Sequence, residues 1–170
     1  MTRKVLVIIV ALALVVGVFA FLNVGDREDR LVTQREAEII LKVGGEEFDR
    51  VKFDNMMLLT QHTFEEVLQS SDSPDQTDVY KGVLMKDVLD EYRIPYEDKE
   101  QIMAQSADGF STVFTIEEVL EDDNVYIVYE INGEPLAPKD EGGSGPYQLV
   151  VRQDEFAMRW IKFLMELDVN

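Results

Sequence analysis

The stretch 125–151 constrains the fold most. Val125-Tyr126-Ile127-Val128-Tyr129-Glu130-Ile131 is a β-branched and aromatic run of strand length. It ends in Asn132-Gly133, a pair favoured in tight hairpin turns because both central positions need positive φ. A loop carrying Gly142, Gly143 and Gly145 follows, then Pro146 and a second apolar run from Tyr147 to Val151. The pattern predicts two buried strands on either side of a loop whose glycines admit a close neighbour.

Cysteine and charge set the limits on chemistry. The 170 residues include no cysteine, which excludes disulfides, thiolate metal ligands, a cysteine nucleophile and a lipidated cysteine. The formal net charge is -18 at pH 7. Arg3 and Lys4 stand before the apolar N-terminal run, so the remainder is more acidic still. Such a surface repels nucleic acid and anionic lipid headgroups, and suits a protein partner with a basic surface.

Met1-Thr2-Arg3-Lys4 precedes an uninterrupted apolar run from Val5 to Leu22. That length is the short end of a membrane span and long for the apolar core of a signal peptide. The expectation is an anchor over 1–22, a polar spacer over 23–36 and a folded domain over 37–170. The basic start stays cytoplasmic, giving a single-pass cell-membrane protein with its domain outside the cytoplasm. Val18-Phe19-Ala20 leaves a second possibility open, secretion after cleavage behind Ala20.

Along the body, Ile39 to Val43 and Phe48 to Phe53 read as two strands about Gly44-Gly45. Asp54 is a candidate cap for a helical turn over 55–59. The stretch 63–70 fits strand and helix alike, and 71–78 reads as a solvated loop. From Tyr80 to Tyr92 the spacing of Leu84, Val88 and Tyr92, with Met85 and Leu89 beside them, predicts an apolar helix face. Asp108-Gly109 predicts a type I′ hairpin turn after Ile102 to Ser106. Thr115 with Glu118 forms a capping box for a helix through Leu120. Asp154 is read as capping a segment from Phe156 to Phe163, and Met165 to Val169 as a closing strand. The overall reading is a strand-rich α+β domain with mixed sheets.

Three ordered segments carry a family resemblance: Tyr80-Lys81-Gly82-Val83-Leu84-Met85-Lys86-Asp87-Val88-Leu89, Ala107-Asp108-Gly109-Phe110, and Asn132-Gly133-Glu134-Pro135-Leu136 with Gly145-Pro146-Tyr147-Gln148-Leu149-Val150. Over about 37–169 the chain resembles the sulfite-oxidase-type molybdopterin-binding domain family, as a short member without cysteine. The resemblance implies that fold and makes molybdopterin a possible cofactor. The chain departs from the family's pattern in three ways. It lacks the cysteine that ligates molybdenum in the enzymes, it has Gln148 where the family tends to have arginine, and the segment before Tyr80 is compressed.

On this basis Gly82, Asp108, Gly143, Gly145 and Arg152 are candidate ligand-binding residues, with no catalytic or metal-ligating residue assigned. Each also has a purely structural reading. The glycines serve turns, Asp108 serves its turn, and Arg152 and Arg159 pair with neighbours such as Asp154 and Glu155. The lone His62 has no second histidine to join as a ligand, and Tyr126, Tyr129, Phe156 and Trp160 read as core. Beside an export-side structural or partner-recruiting domain with no small ligand, two functional readings stand out. One is a membrane-tethered extracytoplasmic binding or accessory module without catalysis. The other is a molybdopterin-binding oxidoreductase subunit that passes electrons to a membrane partner.

Overall fold

The computed structural model describes residues 8–15, 28, 30–68, 76–154 and 157–170. Most of the apolar run, the Ala20 cleavage site, residues 71–75 of the expected 71–78 loop, Glu155 and Phe156 lie outside the described residues, while 76–78 of that loop are strand, paired with the preceding one. Residues 8–15 are helical and exposed. No helix among the described residues is long and apolar enough to cross a membrane.

Two five-stranded sheets enclose one core. The first runs in the order β2 (Glu46–Lys52), β1 (Glu38–Val43), β10 (Leu164–Val169), β5 (Gln101–Ser106), β6 (Ser111–Thr115). The β1–β10 pairing is parallel, with Leu41 opposite Leu167 and Val43 opposite Val169. The other pairs in this sheet are antiparallel. The second sheet runs β3 (His62–Leu68), β4 (Gln76–Leu84), β7 (Val125–Ile131), with β8 (Glu134–Pro135) and β9 (Gln148–Val151) side by side along the far edge of β7.

Alternation explains the first sheet. Ile39 and Leu41 of β1, and Ile102 and Ala104 of β5, turn one buried face to the core. Strand β7 differs, because Val125 to Tyr129 are all buried. That matches its continuous apolar run, since a strand covered on both faces has no need of polar positions. Among the described residues from 37 on, three short helices complete the domain: α1 (Phe53–Met56), α2 (Met85–Glu91) and α3 (Ile116–Leu120). Met85, Val88 and Leu89 of α2 are fully buried.

The turns follow their chemistry. Gly44 and Gly45 have φ 61° and 84°, and Asn132 and Gly133 have φ 52° and 83°. These are the two-residue hairpins that require positive φ at both positions. Helix α3 carries the expected capping box: Thr115 Oγ1 accepts from Glu118 N (3.1 Å), and Thr115 N donates to Glu118 Oε2 (3.3 Å).

Several local expectations need correction. The stretch from Tyr80 is strand as far as Leu84, and the helix begins only at Met85. Leu84 lies at helical spacing from Val88 but stands at the N-cap, so the four-residue pattern runs across a strand–helix junction. Asp54 sits in the first turn of α1, with Lys52 at the cap position. The Asp108-Gly109 turn has positive φ at Gly109 (88°) alone, and Ser106 N donates to Phe110 O (2.9 Å). It is therefore a three-residue loop closed by a glycine in the left-handed region, and not a type I′ turn. The 63–70 ambiguity resolves as strand through Leu68. Between Asp154 and Leu164 the described residues form a single 3-10 turn, Ala157–Arg159.

Residues 30–36, in the stretch read as spacer, are helical and dock on the domain. Gln34 is buried and donates from Nε2 to Tyr129 O (2.5 Å) and Pro146 O (3.2 Å). In return, Tyr147 Oη donates to Gln34 O (2.8 Å).

Candidate functional site

Three loops meet at Phe163, just before β10. The first is the Ser106–Phe110 turn. The second is the loop after β8, where the 3-10 turn Lys139–Glu141 ends on Gly142 at φ 76°. It then folds back, with Gly143 N donating to Pro138 O (3.0 Å) and Gly145 N to Ala137 O (2.8 Å). The Gly145–Pro146 peptide bond is cis. The third is Phe163 itself, at φ 57°, a conformation rare for a bulky side chain. Its N donates to Ser144 O (2.8 Å), and its O accepts from Ala107 N (2.9 Å). Phe163 thus stitches the other two loops together.

Between these loops lies a pocket of about 320 Å³. Phe163, Leu164, Met165 and Pro146 give it an apolar lining, and Glu38, Asp108 and Lys139 supply charge. The Asp108 carboxylate accepts from Ser106 Oγ and from Phe110 N (3.3 Å), and Lys139 Nζ stands 3.6 Å away. These partners, the Ser106 hydroxyl first, hold its pKa below the usual aspartate value. Lys139 Nζ also lies 5.4 Å from the centre of the Phe163 ring.

A second cavity of about 390 Å³ opens on the other side of the glycine loop, lined by Arg30, Tyr80, Gly143, Gln148 and Lys162 among others. Arg30 is engaged there with Glu141 (2.8 Å). A third, open groove of about 980 Å³ follows α3, where Glu100, Glu117 and Glu121 flank Ile116 and Leu120.

Of the residues singled out from the sequence, Asp108 and Gly145 line the same pocket, and Gly143 lines the second cavity. Gly82 and Arg152 line neither. Gly82 is buried on β4, where an added Cβ would meet the Ile127 carbonyl and stand 2.7 Å from Val128 Cα. Added Cβ atoms at Gly143 and Gly145 would stand 2.6 Å from Ala137 Cβ and 2.7 Å from Leu136 Cβ. All three glycines admit the chain's own backbone. Arg152 lies over the Phe64 ring (4.9 Å) and bonds Glu66 (3.1 Å) and Asp123. Arg159 is held in the same way by Asp154 and Glu118. His62 packs its ring against Tyr126, 5.5 Å between centroids, and its buried Nε2 has no hydrogen-bond partner among the described residues.

Glu38, Lys139 and Phe163 also line the pocket and were not among the residues singled out from the sequence for binding. Lys139 was visible only as a cation near glycines. No periodicity marks a phenylalanine as the residue that takes up positive φ. Among the described residues no three His, Cys, Asp or Glu side chains gather as metal ligands.

A family profile described as an oxidoreductase molybdopterin binding domain matches residues 41–170. Among solved structures, the chain is similar to the sulfane dehydrogenase SoxCD from Paracoccus pantotrophus, at TM-score 0.64 and 18% identity. The match covers 80% of this chain and 38% of that one, so the chain spans well under half the length of that neighbour. No curated protein matches the chain.

Proposed function

The chain belongs to the family of oxidoreductase molybdopterin-binding domains, and from that membership we propose that it serves as a membrane-tethered, extracytoplasmic binding module without catalysis of its own. The observation that carries this reading is its donor set. A soft metal–pterin centre asks the protein for a thiolate, and the chain contains no cysteine. The pterin's phosphate asks for cations and open backbone N–H groups. Arg152 and Arg159 are each bonded to two carboxylates, and Lys139 faces Asp108. The spaces above Gly143 and Gly145 are filled by Ala137 and Leu136. Without a thiolate, this donor set does not fit the family's metal centre.

The tether rests on the positive start and the apolar run to Leu22. The net charge of -18 favours a partner with a basic surface, and the groove along α3 offers Glu100, Glu117 and Glu121 beside exposed Leu120.

Elemental mass spectrometry, with pterin fluorescence after oxidative release, tests the reading on protein purified from its native membrane fraction. In cells shown to make the cofactor, neither molybdenum nor pterin is expected. Stoichiometric amounts of both would establish the alternative, a cofactor-bearing oxidoreductase subunit.

A further inference from the structure

The pocket beside Phe163 already holds a cation, and that cation belongs to the chain. Lys139 Nζ sits 3.6 Å from the Asp108 carboxylate and 5.4 Å from the centre of the Phe163 ring. An ammonium between a carboxylate and an aromatic face is the arrangement by which proteins bind organic ammonium ions. The ring that makes this face belongs to the one phenylalanine with positive φ among the described residues, held there by Ser144 O and Ala107 N. The pocket extends beyond the ammonium over Pro146, Leu164 and Met165, and a second carboxylate, Glu38, also lines it. The two oxygens of Glu38 are taken by Arg50 (3.2 Å) and Lys52 (3.4 Å), which leaves Asp108 as the carboxylate that faces the ammonium. The Lys139 side chain is 67% exposed, so it can swing out without uncovering core.

We propose that this pocket binds a small organic ammonium ion with an apolar body, which takes the place of the Lys139 ammonium between Asp108 and Phe163. The inference rests on the reading of the chain as a binding module and names the class of ligand at that site. An anionic ligand would have to approach Asp108 with Lys139 as the only cation among the described residues that line the pocket. A cation gains from the Asp108 carboxylate and from the ring face.

The test uses the full chain in a non-ionic detergent, titrated with choline and with its uncharged carbon isostere, 3,3-dimethylbutan-1-ol, while backbone amide NMR shifts are followed. Choline is expected to move Ala107 to Phe110 together with Phe163 and Leu164, and to bind about fivefold or more tighter than the isostere. Asp108→Asn is expected to weaken choline by a similar factor. Lys139→Gln, at an exposed position, is expected to strengthen it by removing the competitor. Since Asp108 also holds its own turn, the Lys139 variant and the isostere decide the matter if Asp108→Asn misfolds. Equal binding of choline and isostere would overturn the ammonium assignment while leaving a binding module. So would weaker choline binding in Lys139→Gln, no binding of either compound, or shifts confined to other regions. Stoichiometric molybdenum and pterin would overturn the module itself, a separate readout.

Discussion

A methyl group added at Gly82 has nowhere to go. It would point into the Ile127 carbonyl across the β4–β7 ladder, where the register shifts between Lys81 and Gly82. The obstacle is backbone inside a sheet, so no rotamer change relieves it. Gly82→Ala is therefore expected to cost about 2–3 kcal/mol, read as a lower urea midpoint with an unchanged slope. An alanine at Gly44 meets no atom within 4 Å and strains only a φ of 61°, so about 1 kcal/mol is expected there. A Gly82→Ala protein as stable as the parent would show that the β4–β7 contact is looser than described. The same reasoning bears on Gly143 and Gly145, whose Cβ positions are taken by Ala137 and Leu136. These glycines shape the pocket wall by close packing and present no open cradle.

At the scale of elements, α3 depends on Thr115, the residue that caps it. Its five residues are too few to be stable alone, and the capping box satisfies two backbone donors that would otherwise be left over. Thr115→Ala is expected to cost about 1 kcal/mol. Glu118→Ala is expected to cost more, because the same carboxylate bonds Arg159. Thermal unfolding of both variants checks the order, and the reverse order would separate the Arg159 contact from the stability of α3. This box was legible in the sequence, as were the Gly44-Gly45 and Asn132-Gly133 hairpins, because each is a local rule between residues a few positions apart. The strand–helix junction at Leu84 was not, since apolar residues at matching spacing occur on both sides of it. The site was half legible. Asp108 and Gly145 do meet at one pocket, but a glycine kept for a ligand and one kept for the chain's own backbone look identical in sequence. The positive φ of Phe163 is imposed by Ser144 and Ala107, distant partners that no local pattern reveals.

For the whole molecule, titration should bracket a plateau of stability. Among the described residues, four carboxyls are held below their usual values: Glu38 and Glu47 by Arg50, Asp108 by Ser106, and Asp123 by the Tyr126 hydroxyl. A depressed folded-state pKa gives stability that is present above the unfolded value and lost as pH falls through the folded one. On the alkaline side, burial pushes Tyr80 and Tyr129 up to about 12. Raised groups give stability that is complete below the unfolded value, about 10, and lost as pH rises toward the folded one. The melting temperature is therefore expected to hold between about pH 5 and 9 and to fall on both sides. Asp123→Asn should make the acid limb shallower. An unchanged acid limb in that variant would remove Asp123 from the account.

The seating of β10 between β1 and β5, parallel to the first and antiparallel to the second, has a consequence for how the protein comes into being. A ribosome delivers β1 first and β10 last, more than a hundred residues later. Until 164–169 emerge, the slot between β1 and β5 stands empty, and Ile39, Leu41, Ile102 and Ala104 lack the strand that lies between theirs. The β3–β4–β7 ladder needs no residue beyond Ile131. The nascent chain can thus build one sheet as it is made, while the other waits for its final strand. Its longest exposure to premature association and to proteases falls in the interval before that strand arrives.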